Sequence, residues 1–190
     1  VEQQQFVDTS ERILKISRYP ECPHTSFFDL VTATAFEVFA TYQCDWVVLE
    51  TGLGGKSDST NVAPKKLAIL TKIGLDHQKI LGNSILEIAA EKLGIARKGV
   101  PLLVSQQTNI VKEWLEHQTR LQEIPTHWMD ETLHYLVDHG GKRLAAPKRA
   151  KISDVSRELA LKAVEILLPT KSLKHRQKRI DLASEFTLIG

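Results

Sequence analysis

Cysteine is nearly absent. The 190 residues hold two, Cys22 and Cys44. They have neither the spacing of a zinc site nor that of a redox motif, so a disulfide-stapled fold is excluded and a reducing compartment fits. Long apolar runs are missing too: nothing approaches the roughly 18 residues of a membrane span. Nor is there an excess of charge of one sign. Lysine and arginine number 25 against 23 acids, a net charge of +2, so there is no basic surplus of the kind that marks a nucleic-acid binder. The opening "VEQQQFVDTSERI" has the features of neither a signal peptide nor a transit peptide. A first residue of Val1 fits a processed terminus and a piece of a larger protein equally. No internal repeat or low-complexity tract occurs. The length allows one ordinary domain with a real core. The expected compartment is the cytoplasm, with the mitochondrial matrix as the alternative.

The apolar spacing predicts a helix over residues 1–17, built on Phe6, Ile13 and Leu14, then a loop with two prolines over 18–24. Thr25 or Ser26 is placed to cap a helix that runs to about residue 42. Residues 45–50, "DWVVLE", read as a short buried strand and residues 66–73, "KLAILTKI", as a second. A helix is predicted over 84–97, ended by Gly99, where a positive φ is cheap. A strand over 100–105, a helix over 109–121 and a short strand at "THWMD" follow. Strands alternating with helices make an α/β fold, a mostly parallel sheet flanked by helices. Further on, "LHYLVD" and "KRLAA" read as a hairpin around "HGGK", residues 139–142. Ser153 is placed to cap a helix over 154–168, ended by Pro169, and a basic tail runs from Lys171 to Arg179.

In open parallel sheets ligands sit beyond the carboxyl ends of the strands. Three features fall there. Glu50 closes the first strand and is followed by "TGLGGKSDSTN". A carboxylate at a strand end suits Mg²⁺, which prefers oxygen ligands. Gly52, Gly54 and Gly55 let the backbone turn sharply and approach a ligand, and Lys56 and Asp58 set opposite charges in the same loop. The same residues also describe a plain strand and a solvated turn. His77, in "IGLDHQKILG", is either a surface histidine or a metal or phosphate contact, with Asp76 placed to orient its ring. Lys92, in "AAEKLGI", ordinarily reaches out to water. Beside a metal it becomes useful only when carbamylation turns its ammonium into an oxygen ligand.

"LETGLGGKSDSTNV", "TKIGLDHQKILGNSILEIAAEKLGI" and "KGVPLLVS", preceded by "TSFFDLVTATAFEVFA", share an order and a spacing. Together they resemble the central domain of folylpolyglutamate synthase and dihydrofolate synthase, members of the Mur-ligase superfamily. The resemblance is best over residues 25–105, and the whole of 1–190 is read as one partial central domain. It implies a ligase that uses ATP to activate a folate or pteroate carboxylate as an acyl phosphate, which the amine of glutamate then attacks. It also implies roles. Glu50 binds magnesium beside the ATP phosphates, His77 belongs to a second magnesium position, and Lys92 is the carbamylated lysine. Asp58 occupies a loop position associated with the folate, and Lys56 stands where the family usually has arginine. On this expectation Glu50 and His77 share one rim of the sheet, with Lys92 pointing toward them. Mg²⁺ is the implied cofactor, with ATP as substrate.

The sequence also departs from the family. A phosphate-binding loop should precede these motifs, yet no Gly-x-x-x-x-Gly-Lys-Ser/Thr occurs. "GLGGKS", residues 52–57, follows the Glu50 strand and is not that loop. A His-Gln pair and an Asn of the family align with Ile152, Ser153 and Ser156, and its Pro-Gly-Arg with Gln177, Lys178 and Arg179. The family's C-terminal Rossmann-like domain has no counterpart. Two readings follow. One is a portion or divergent member of an ATP-dependent folate ligase, inactive alone. The other is a non-catalytic binding or structural subunit of a larger assembly, with the basic tail docking on a partner.

Overall fold

The computed structural model describes residues 2–22, 24–129, 136–137, 143–144 and 152–168. The chain folds as two compact units, Val1–Ala63 and Pro64–Gly190.

In the first unit, α1 (Gln3–Ile16) packs against α2 (Phe27–Thr41). A capping box fixes where α2 starts. Ser26 Oγ accepts the Asp29 amide at 3.1 Å, and the Asp29 carboxylate accepts the Ser26 amide at 2.8 Å. Two backbone donors that helix geometry leaves unpaired are thereby satisfied. The apolar interior is thin: Val38 is the only large apolar side chain of this unit that is fully buried among the described residues, beside Thr9, Thr32 and Thr34.

Residues 45–50, expected as a buried strand, are not one. They pair with no described strand, and all six are exposed, Val48 to 84%. β-Branched residues favour an extended backbone, but a strand is completed by a neighbour's ladder and by burial of a face. Among the described residues this segment has neither.

The second unit is built on a parallel sheet in the order β1-β2-β3, with β1 at Ala68–Leu70, β2 at Leu102–Val104 and β3 at Thr126–Trp128. Ile69 lies opposite Leu103, and Leu103 opposite His127. Helices α3 (Gln78–Leu81) and α4 (Ile85–Leu93) connect β1 to β2, and α5 (Asn109–Leu121) connects β2 to β3. The two-residue period of a strand divides the side chains of β2 between two layers. Leu102 and Val104 join Ile88 and Leu93 of α4 and Val111 and Leu115 of α5. Leu103 joins Leu159 and Ala163 of α6 (Ile152–Leu167) instead. Each fully buried leucine or valine contributes roughly 1.5–3 kcal/mol, so this doubly covered strand holds the two helix layers together.

The helix predicted over 84–97 stops earlier, at Leu93. Gly94 caps it, and bonds from Gly94 to Glu91 and from Ala96 to Leu93 tighten the turn. The Ile95 carbonyl leaves the helix to accept Lys65 Nζ at 3.0 Å. Gly99, at φ 73°, then turns the chain toward β2. Burial and the Arg97 charge both lower the Lys65 pKa. The predicted hairpin is present as β4 (Leu136–Val137) against antiparallel β5 (Arg143–Leu144). Its turn "HGGK", Pro169 and the basic tail at 171–179 lie outside the described residues. Helix α6 begins at Ile152, so Ser153 lies inside its first turn and does not precede it as a cap. Among the described residues no helix is long and apolar enough to cross a membrane.

Candidate active site

The glycine-rich loop of the first unit is organised from within by Asp58. Its side chain is 8% exposed. One carboxylate oxygen accepts the Gly52 amide at 2.8 Å and the Leu53 amide at 3.0 Å. The other accepts the Thr60 amide at 2.9 Å and the Thr60 hydroxyl at 2.5 Å. Asp58 thus closes the loop and caps the short 3₁₀ helix Ser59–Val62 that follows. Burial by itself raises the Asp58 carboxyl, but the Thr60 hydroxyl and the Leu53, Thr60 and Gly52 amides outweigh it and hold the pKa below the usual carboxylate value.

The loop is also tied to the start of α2. The Ser59 hydroxyl donates to Asp29, whose pKa is lowered first by the Ser26 hydroxyl, then by Ser59 and the Ser26 amide. At Gly52 a side chain fits only if the Phe28 ring moves: a Cβ there would lie 2.6 Å from that ring. Gly54 takes φ 71°, the left-handed region open to glycine. Asn61 Nδ2 holds the Lys56 carbonyl at 3.0 Å, while the Lys56 side chain is exposed. Glu50 is exposed at the entrance to the loop.

In the second unit, His77 follows the carboxyl end of β1 in a left-handed conformation, φ 51° and ψ 33°. That backbone is uncommon outside glycine and costs of order 1–3 kcal/mol. Asp76 stabilises it: Oδ1 accepts the His77 amide at 2.7 Å, and Oδ2 lies 3.6 Å from His77 Nε2. Asp76 therefore lies beside His77 as an exposed neighbour, bonded to its backbone amide and beyond hydrogen-bond range of its ring.

Lys92 is half-buried in the last turn of α4. Among the described residues it is bonded to neither His77 nor Asp76. Glu50 belongs to the first unit, and His77 and Lys92 to the second. No three histidine, cysteine, aspartate or glutamate side chains gather into a metal cage among the described residues. These donors do not form a closed structural site. As the side chains stand, only Glu50 among Glu50, His77 and Lys92 offers the oxygen donor that magnesium prefers.

One residue at the strand ends carries no motif. Gln107 is buried, 7% exposed. Its Oε1 accepts the Ile73 amide at 2.9 Å, and its Nε2 donates to the Thr71 carbonyl at 2.9 Å and the Ser105 carbonyl at 3.1 Å. Its trace in the sequence is slight: a long amide shortly after a strand that is apolar on both faces.

No protein-family profile matches the chain. Individual relatives do. The dihydrofolate synthetase of Saccharomyces cerevisiae is 51% identical over 85 residues, 43% of this chain and 20% of the relative. A dihydrofolate synthase/folylpolyglutamate synthase of Bacillus subtilis is 42% identical over 99 residues, 52% of this chain and 23% of the relative. Among solved structures, Mycobacterium tuberculosis folylpolyglutamate synthase complexed with ADP superposes with a TM-score of 0.77 at 25% identity, over 97% of this chain and 46% of that one. The chain resembles the dihydrofolate and folylpolyglutamate synthases. It shares their α/β architecture, a small parallel sheet flanked by helices, and it spans about half the length of the folylpolyglutamate synthase structures. The matched stretches are about a fifth of the curated synthases' length.

Proposed function

We propose that the chain carries the magnesium side of the active site of an ATP-dependent ligase, one that joins glutamate to a folate or pteroate through an acyl phosphate. The observation that supports this most is His77, held in left-handed backbone beyond the carboxyl end of β1 with Asp76 at its ring. The similarity to a dihydrofolate synthetase and to a dihydrofolate synthase/folylpolyglutamate synthase also supports it.

On this reading Glu50, in the first unit, and His77 and Lys92, in the second, are the magnesium positions, Lys92 as its carbamate. Bound magnesium supplies neutralisation of the charge on the transferring phosphoryl group and on the carboxylate. The chain's own residues supply position. Asp76 fixes the His77 backbone and sets a carboxylate beside its ring. Asp58 serves the folate indirectly, by holding the loop, and the exposed Lys56 offers that loop's positive charge to an anionic substrate. The 190 residues contain no phosphate-binding loop motif, so the isolated chain does not complete the reaction. The free Cys22 and Cys44 fit the reducing environment of cytoplasm or mitochondrial matrix.

The test is ATP-dependent joining of labelled glutamate to dihydropteroate and to folate, using the gene product that carries this sequence. His77→Ala and Lys92→Ala should each lower the rate on the order of 100-fold. Full activity in both variants contradicts the assigned roles. No joining by the parent protein contradicts the ligase reading and leaves a non-catalytic subunit.

A further inference from the structure

Strand β1 ends at Leu70, but the chain beyond it does not leave the sheet freely. In a parallel ladder, a residue of one strand engages the carbonyl of one residue and the amide two residues on in its neighbour. The Gln107 side chain does this with Thr71 O and Ile73 N, at 2.9 Å each. Its amide stands where the next peptide group of β2 would stand, and its third bond, to the Ser105 carbonyl, anchors it to the end of β2. The last backbone bond between these strands, from the Ser105 amide to the Leu70 carbonyl at 2.9 Å, is directly before it. Ile73 is buried in the core at the same point, and four residues further on comes His77.

We propose that Gln107 is a positioning residue for His77. Its side-chain amide serves as a surrogate strand rung that fixes the exit of β1, and so fixes where the Asp76–His77 pair is presented. A buried amide with three partners is well suited to this: losing it strands the buried Ile73 amide without water to replace the bond. The proposal deepens the ligase reading, and its metal consequence rests on that reading; the clamp itself does not.

The experiment compares the isotopically labelled chain with Gln107→Met, which keeps the length and removes the amide. Gln107→Glu is the second variant, keeping the acceptor for Ile73 and losing the donor to Thr71. Two readouts decide the proposal. In Gln107→Met, hydrogen exchange at the Ile73 amide should quicken at least about tenfold, with the Leu103 amide unchanged. In the same variant the His77 backbone and ring resonances should shift, with Gln107→Glu between it and the parent. An Ile73 amide as protected as in the parent, or His77 resonances that do not move in either variant, overturns the proposal. Mn²⁺ titration separates the two readings. If Mn²⁺ broadens His77 in the parent, its apparent Kd there should rise severalfold in Gln107→Met. If Mn²⁺ never reaches His77, the metal assignment fails, and exchange at Ile73 with the His77 shifts still decides the role of Gln107.

Discussion

The Asp58 carboxylate accepts the Gly52 amide at 2.8 Å across six residues of chain. This bond, with its three companions, turns a glycine-rich sequence into a defined loop. Replacing Asp58 by alanine leaves the amides of Gly52, Leu53 and Thr60 without the acceptor of these part-buried bonds. A loss of about 1–3 kcal/mol is expected, read by chemical unfolding of the chain.

The same carboxylate predicts an acid response. Its pKa is lowered in the folded chain, as is that of Asp29. A group held below its unfolded value of about 3.9 gives its full stabilisation above that pH and loses it as pH falls through the folded value. Protection of the Gly52 and Leu53 amides should therefore hold from neutral pH to about pH 4 and decline below it. Asp58→Asn should flatten that decline; an equally steep decline in the variant contradicts the assignment.

Gly52 and Phe28 should behave as a coupled pair. The Gly52→Ala methyl meets the Phe28 ring, and overpacking of this kind costs typically about 1–3 kcal/mol. Phe28→Leu should recover part of that loss when the two are combined. Additive effects in a double-mutant cycle of thermal unfolding would show that the ring is not what excludes a side chain.

Leu103 is a fully buried apolar link between the sheet and α6, with Leu67 and Met129 packed against the same cluster. Leu103→Ala should destabilise the second unit by about 2–5 kcal/mol and raise hydrogen exchange at Leu159 and Ala163 above that at Leu115. Equal exchange at all three would mean that α6 does not depend on this contact.

Much of the second unit was legible in the sequence because its signals are local. The run from Leu102 to Val104 is apolar without alternation, as a strand covered on both faces must be, and helix α5 has the predicted bounds. The cap of α2 was readable as Thr25 or Ser26, and Ser26 is the one that serves. Residues 45–50 misled for the opposite reason. Their composition favours extension, but pairing is a property of a neighbour, and none of the described strands provides one. At the candidate site the type of residue was readable and its use was not. Asp58 looked like a charge for a substrate, whereas its oxygens are bonded inside their own loop. The left-handed turn at His77 and the clamp made by Gln107 depend on backbone geometry that no spacing rule encodes.

The most direct test of the central claim, that His77 is a metal position, is a Mn²⁺ titration of the labelled chain followed by the ring resonances of its seven histidines. The account predicts that His77 broadens first, below one equivalent of metal, and that Asp76→Ala weakens the effect. Uniform broadening of all the histidines, or an unaffected His77, would contradict it.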